Sequence, residues 1–311
     1  MKPILLLLLV LLTAGVAPLP WSREQPPHVE ELLKGNDAIV VTSSAGKESP
    51  VVTLGRRFGG SVVSIFHRGV EYVNNDNGTE VDYGRQLQSA VQYRGAGECF
   101  NPTEAGGKYD RGRPVSSSRL LSLERPAPNV VVTSADMAFW MAPAQERTKK
   151  GKECTALNTD IRGGYMLKRT LQVGVDGFPN VIQYRTQFAA PIEEPGPRYV
   201  PVVLHSPVRF TRIFRVGAEG TAEEIVGERN QRGNLPFMLT TDDQAHAALV
   251  CSATPPADSF YGYTKFRNTT TSRFVYFAKG AEKESRVFNN YVIVGTASEV
   301  RNAARRFCFT R

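Results

Sequence analysis

Along much of this chain apolar residues recur at every second position. Tyr165, Leu167, Leu171 and Val173 alternate with Met166, Lys168, Thr170 and Gln172, and after Val175-Asp176-Gly177 the residues Ile182, Tyr184 and Phe188 alternate with Gln183, Arg185 and Gln187. A period of two sends successive side chains to opposite faces of a strand, and Asp-Gly between two such runs predicts a long hairpin. Shorter β-branched or aromatic runs follow the same rule at 39–42, 51–54, 119–123, 130–133, 137–141, 199–204, 208–216, 260–266, 273–277 and 287–294. Two further hairpins are predicted, one at 61–73 turning at His67-Arg68-Gly69 and one at 235–251 turning at Asp242-Asp243. At its turn, His67 is expected to be exposed. The charged run 145–153, QERTKKGKE, reads as a solvated loop. Only the end of the chain is helical in pattern: Ser298 reads as the cap of a helix over 299–307, with Glu299 in its first turn. About fifteen strands with turn signals every eight to twelve residues predict an all-β protein, a large two-sheet antiparallel sandwich with a short C-terminal helix. No linker interrupts the pattern, so residues 38–311 are expected to form a single domain.

One stretch breaks the apolar rhythm with chemistry. In YGRQLQSAVQYRGAGECFNPTEAGGKYDRGR, residues 83–113, Leu87, Ser89, Val91 and Tyr93 fall on one strand face and Gln86, Gln88, Gln92 and Arg94 on the other. A long polar loop follows, carrying Glu98, Asn101, Glu104, Tyr109 and Asp110. Amides and guanidinium groups make paired hydrogen bonds to vicinal hydroxyls, and an aromatic face suits the C–H face of a sugar ring. Arg85, Gln86, Gln88, Arg94, Asn101 and Trp140 are therefore the candidate carbohydrate-binding residues. Arg85 is in phase with the apolar set, so it either ends the strand or is buried against Glu98 or Glu104. Trp140, between Phe139 and Met141, fits a buried position as well as a stacking one.

Candidate catalytic groups are Glu98, Glu104, Tyr109 and His205. Glu98 and Glu104 could serve a glycosidase as a carboxylate pair, or could be ion-pair partners of neighbouring arginines. A uronate lyase needs a neutraliser for the carboxylate, a base and an acid; Arg85 with Gln88 or Asn101 suits the first role, and Tyr93, Tyr109 or His205 the others. His205, between apolar runs, is the best placed histidine for proton transfer. The polar loop 227–233 is a candidate far wall of the site, and Glu228 is the one carboxylate to set beside His205.

Composition narrows the setting. Lys2 precedes an apolar run over 4–12 that is short for a bilayer span, and small residues follow at Ala14, Gly15 and Ala17. This predicts a signal peptide over 1–17, with Pro18 after Ala17 leaving the cleavage position open, then a proline-rich lead-in over 18–37. A secreted or periplasmic protein with no stable membrane insertion after signal cleavage is expected. Four cysteines, Cys99, Cys154, Cys251 and Cys308, permit two disulfides in three pairings. The formal charge of +8 suits an acidic partner such as a uronate polymer. Without a basic run or a recognised motif, nucleic acid is not expected. No cofactor motif is present, and the cysteine spacing with no clustered histidines predicts no metal site. Asn77 and Asn268 fit the glycosylation acceptor pattern.

The segments GGSVVSI at 59–65 and RGVEYVN at 68–74 resemble the opening hairpin of galactose-mutarotase-like supersandwich proteins. The GRQLQSA and GECFNPTEAG blocks, with the later GER and PF pairs and the strand-then-helix ending, resemble an uncharacterised secreted group of that superfamily over most of the mature chain. The resemblance implies the supersandwich fold and a sugar ligand. The superfamily spans aldose epimerases, polysaccharide lyases and carbohydrate-binding domains, so it implies binding more firmly than a reaction. The histidine motifs of the epimerases are missing here, which puts epimerase activity in doubt. The leading expectation is a carbohydrate-binding protein; the alternatives are a polysaccharide-active enzyme and a structural or adhesion sandwich.

Overall fold

A computed structural model describes residues 35, 37–73, 86–93, 96–110, 113, 115–149, 152–191, 197–266, 269–277 and 285–309. The expected signal peptide over 1–17, nearly all of the expected lead-in, Arg85, Arg94, Asn77 and Asn268 lie outside the described residues. The protein is an all-β sandwich with one α-helix among the described residues. Ala38–Val41 (β1), Val51–Gly55 (β2), Val62–His67 (β3) and Val70–Glu71 (β4) form a four-stranded antiparallel sheet in sequence order. The larger sheet starts with Gln88–Tyr93 (β5), Pro102–Thr103 (β6), Arg119–Ala127 (β7) and Val130–Phe139 (β8). Glu146–Lys149 (β9) and Lys152–Thr155 (β10) form a two-stranded antiparallel ribbon. Then follow Arg162–Val175 (β11), Phe178–Ala189 (β12), Pro197–Pro207 (β13), Arg212–Val216 (β14), Ala222–Glu224 (β15), Asn230–Gly233 (β16), Phe237–Thr240 (β17), Ala247–Ser252 (β18), Ser259–Lys265 (β19), Thr269–Phe277 (β20) and Arg286–Gly295 (β21).

The large sheet is one antiparallel ladder of 15 strands, running β15-β14-β17-β18-β21-β12-β11-β8-β6-β5-β13-β20-β19-β16, with β7 on β8. It folds back on itself, so that the half around β12, β18 and β21 packs against the half around β13 and β20. Aromatic side chains meet across that interior: Tyr199 of β13 lies 5.2 Å from Phe188 of β12 and 5.8 Å from Phe288 of β21, ring centre to ring centre. The four-stranded sheet joins the second layer through an antiparallel bridge between Val62 and Leu87. Leu87, Ser89, Val91 and Tyr93 are all buried, as their alternation requires.

Local sequence explains the main turns. The β11–β12 hairpin turns on Asp176 and Gly177, with φ of 48° and 82°, a left-handed pair whose twist matches the flanking strands. Arg68 and Gly69 do the same between β3 and β4, with φ of 50° and 82°. That turn buries His67 where exposure was expected, because the side chain belongs to the inner face of β3. Burial, reinforced by the neighbouring Arg68 charge, pushes the His67 imidazole down to about 4. The helix Ala297–Phe307 (α1) starts earlier than expected. Its cap is Thr296, with no capping role for Ser298: the Thr296 hydroxyl accepts from the Glu299 amide at 3.2 Å, and the Glu299 carboxylate accepts from the Thr296 amide at 2.8 Å. Only Thr296 has a glutamate at the third helical position, the spacing a capping box demands. The same carboxylate receives both Arg68 guanidinium nitrogens, at 2.8 and 2.9 Å, which ties the first hairpin to the helix. Cys308, one residue past α1, is bonded to Cys251 on β18.

Candidate functional site

The second layer turns an outer face to a cleft of about 730 Å³. Strand register builds its floor in rows. Gln88 of β5 lies opposite Val203 of β13, which lies opposite Arg273 of β20; Ala90 is opposite Val200, and Gln92 opposite Arg198. Thr271 stands beside His205, and Phe260 of β19 beside Val275. Ala90, Val200 and Val275, with Val203 and Phe260 against them, make an apolar strip down the middle. Gln88, Gln92, Arg198, Arg273 and His205 flank it. Five strands from β6 to β19 make the cleft roughly 19 Å across, at the usual interstrand spacing.

A bulge in β13 is what lets both ends of that strand face the cleft. Its register slips against β5 between Val200 and Val203 and against β20 between Tyr199 and Val202. Arg198 and Val200 therefore share a face with Val203 and His205, while Tyr199, Val202 and Leu204 go inward. Pro201 sits within the slip, where a missing amide proton costs the ladder nothing.

The wall is the polar loop and what holds it. Glu104 is completely buried and ion-paired with Arg169 of β11. Its other oxygen accepts from the Tyr184 hydroxyl at 3.0 Å and the Ser89 amide at 3.1 Å. Burial pushes the Glu104 carboxyl up, and the Arg169 charge and these donors pull it back. Arg169 also donates to the Gly60 carbonyl and, at 3.0 Å, to Thr133. Asp110, also buried, accepts from the amides of Gly107 and Ser117 at 2.8 and 2.9 Å and from the Ser117 hydroxyl at 2.7 Å. Gly106, at φ 112°, has no room for a side chain: a Cβ there would come within 2.4 Å of Asp110. Two of the loop's acidic residues are thus internal pegs that fix its shape.

What the loop then presents is Glu98, Asn101, Gly107 and Lys108, with Trp140 behind them. Asn101 is buried, yet its Oδ1 accepts no hydrogen bond among the described residues while the side chain lines the cleft. Its backbone carbonyl is taken by the Trp140 amide at 2.8 Å. Trp140 is half-buried, packed on the Cys99–Cys154 disulfide with an edge in the cleft. That disulfide draws in the β9–β10 ribbon, which replaces the loop expected over 145–153. Arg147 of β9 consequently reaches the cleft and ion-pairs with Glu98.

Of the residues singled out in the sequence, Gln88, Glu98, Asn101, Trp140 and His205 meet at this cleft. Three others lie elsewhere. Gln86 is buried and receives the Ser61 hydroxyl. Glu104 is the core partner of Arg169. Tyr109 packs beneath the loop with the Arg113 guanidinium 5.7 Å from its ring, outside the cleft lining, and burial pushes its phenol up. Tyr93 bonds Tyr165 in the core at 2.9 Å, and the exposed Glu228 is not part of the lining. The cleft adds Arg147, Arg198, Phe260, Phe266, Thr269 and Arg273, which the sequence reading passed over. Phe266 stands 53% exposed at the rim opposite Trp140. Arg198 lies over the Phe277 ring at 4.5 Å. The signal for Arg198 and Arg273 is at the strand edges: Arg198 directly precedes the run at 199–204 and Arg273 opens the run at 273–277. Among the described charged side chains of the lining, Lys108, Arg147, Arg198 and Arg273 outnumber Glu98, so this part of the cleft is positive.

Such a surface can receive a hydroxyl-rich chain, with amides and guanidinium groups beside an apolar strip and aromatic edges at both rims. Among the described residues no three His, Cys, Asp or Glu side chains gather as a metal site would need, and no helix is long and apolar enough to cross a membrane.

No family model matches the chain, and a search of curated proteins finds no match. Among solved structures it is similar to a protein from Synechocystis, at 8% identity over 83% of this chain and 96% of that one, with a TM-score of 0.46. It is also similar to a glycoside hydrolase family 97 enzyme from Pseudoalteromonas, at 7% identity over 83% of this chain with a TM-score of 0.45. An α-galactosidase from Lactobacillus brevis is similar at 8% identity over 84% of this chain, with a TM-score of 0.42. The chain spans 35% and 39% of the lengths of these two enzymes.

Proposed function

We propose that this is a secreted or periplasmic carbohydrate-binding protein whose ligand is a poly- or oligosaccharide lying across the β5–β13–β20 face. The observation that carries the reading is Asn101: a buried amide oxygen without a hydrogen-bond partner among the described residues, lining a cleft with Gln88, Gln92 and Trp140. A buried acceptor left unsatisfied costs about 1–3 kcal/mol, which a ligand hydroxyl would recover. The resemblance of the first hairpin to supersandwich proteins supports the same ligand class. Two disulfides, Cys99–Cys154 and Cys251–Cys308, fit an oxidising compartment.

Calorimetric titration with a panel of soluble polysaccharides tests it. Saturable binding that Trp140→Ala and Asn101→Ala weaken is expected; no binding to any sugar polymer would overturn it.

A second reading is polysaccharide cleavage. The position of His205 on the same face as Arg198 and Arg273 favours a lyase over a glycosidase, since Glu104 is committed to Arg169 and Glu98 to Arg147. Elimination leaves an unsaturated uronate that absorbs in the ultraviolet. A rise in absorbance over uronate polymers, lost in His205→Gln, would establish it, and a flat trace with intact binding would leave binding alone.

A further inference from the structure

One row of the sheet carries two arginines around a residue with no side chain. Arg232 of β16 is the register partner of Gly262 on β19, and Gly262 is the register partner of Arg273 on β20. Register partners project to the same face of an antiparallel sheet, so both guanidinium groups rise on the cleft side. A Cβ on Gly262 would meet Arg273 Nε at 3.3 Å and the Phe260 ring at 3.5 Å; the glycine gives Arg273 its room. The Arg232 guanidinium lies 5.0 Å from the centre of the Phe260 ring, which fixes it beside the notch.

Among the described residues Arg273 has no carboxylate partner. Burial first, and then repulsion from Arg232 and Arg198, holds its guanidinium below the usual arginine range. Arg198 and Arg273 are half-buried and Arg232 is exposed; gathering like charges there is unfavourable by itself, and an anion seated between them reverses the sign of every interaction. The planar guanidinium fork suits a planar or tetrahedral oxyanion.

We propose that Arg232 and Arg273, on either side of Gly262 and supported by Arg198, form a subsite for the acidic substituent of the bound saccharide, a carboxylate or a sulfate ester. This rests on the carbohydrate reading of the cleft. It separates labour along the groove: Trp140, Asn101 and the glutamines hold neutral sugar, and the Gly262 notch selects chains that carry an anion.

Calorimetry with two matched pairs of polymers tests the subsite, dextran against dextran sulfate and galactan against polygalacturonate. The wild-type protein should bind the acidic member of at least one pair about tenfold more tightly than its neutral counterpart, and the pair that responds tells ester from carboxylate. Arg273→Gln and Arg232→Gln should each remove the preference, lowering affinity for the acidic member about tenfold more than for its neutral counterpart, with thermal melts showing that the variants fold. Gly262→Ala keeps every charge but obliges the Arg273 guanidinium to give by a few tenths of an ångström, and should reduce the preference. A preference that survives Arg273→Gln and Arg232→Gln would mean diffuse attraction to a basic protein and would overturn the subsite. Equal affinity for both members of each pair would also overturn it, while leaving the carbohydrate reading intact. If none of the four polymers binds, the carbohydrate reading fails and the subsite falls with it.

Discussion

Arg169 and Arg273 both rise from alternating positions in long strands, and their surroundings are opposite. Arg169 lies in the dry interior, ion-paired with Glu104 and further bonded to Thr133 and the Gly60 carbonyl. Arg273 lies on the cleft floor, and the charges acting on it have its own sign. The first arrangement is complete within the chain and holds the loop of residues 97–110 against the core. The second leaves like charges facing one another among the described residues, and the proposed anionic substituent would complete it. A paired, buried cation belongs to the architecture, and a cation gathered with others at a groove belongs to recognition.

Substitutions can break that contrast, beginning with the pair itself. Arg169→Met leaves the Glu104 carboxylate buried without its counter-charge and should cost about 3–5 kcal/mol, read as a lower denaturant midpoint. His67 supplies an interior comparison, a buried base beside a like charge. Its folded value of about 4 lies below the ordinary 6.5, so the native state binds fewer protons than the unfolded chain between those values. Stability should therefore fall as pH drops from 6.5 through 4, by roughly 3 kcal/mol in all, and His67→Gln should flatten that limb of the pH profile. On the recognition side, Trp140→Ala should lower affinity for a neutral polysaccharide about tenfold, with Trp140→Phe keeping most of it. The smallest effect is expected for Arg273→Gln on stability, within about 0.5 kcal/mol of wild type by urea unfolding. A large loss there would erase the distinction between the two arginines.

Strand alternation made the sandwich legible. The buried set Leu87, Ser89, Val91 and Tyr93, the Asp176-Gly177 hairpin and the final helix all follow from residues close in sequence, where period and turn chemistry act directly. The site was legible in part, because its walls are made by contacts between distant segments. Glu104 looked like a catalytic acid because its partner lies 65 residues away. Yet Arg169 is in phase with Leu167 and Leu171, and a guanidinium on an apolar face needs a buried carboxylate. The rule that sets Arg85 against a loop carboxylate sets Arg169 there too. Arg147 was hidden for another reason: the Cys99–Cys154 bond that turns its ribbon toward the cleft was one of three pairings the spacing allowed.

The slip at Pro201 means that the cleft floor is written in two phases, even-numbered residues before it and odd-numbered residues after it. Ironing that slip out without losing a residue would act as a frameshift does in a message. Every side chain downstream in β13 would change faces, Val202 and Leu204 would be turned outward, and His205 would be sent into the core. Point substitutions can therefore retune this surface one side chain at a time, whereas regular pairing through those few residues at the same length would exchange the inside and the outside of the strand.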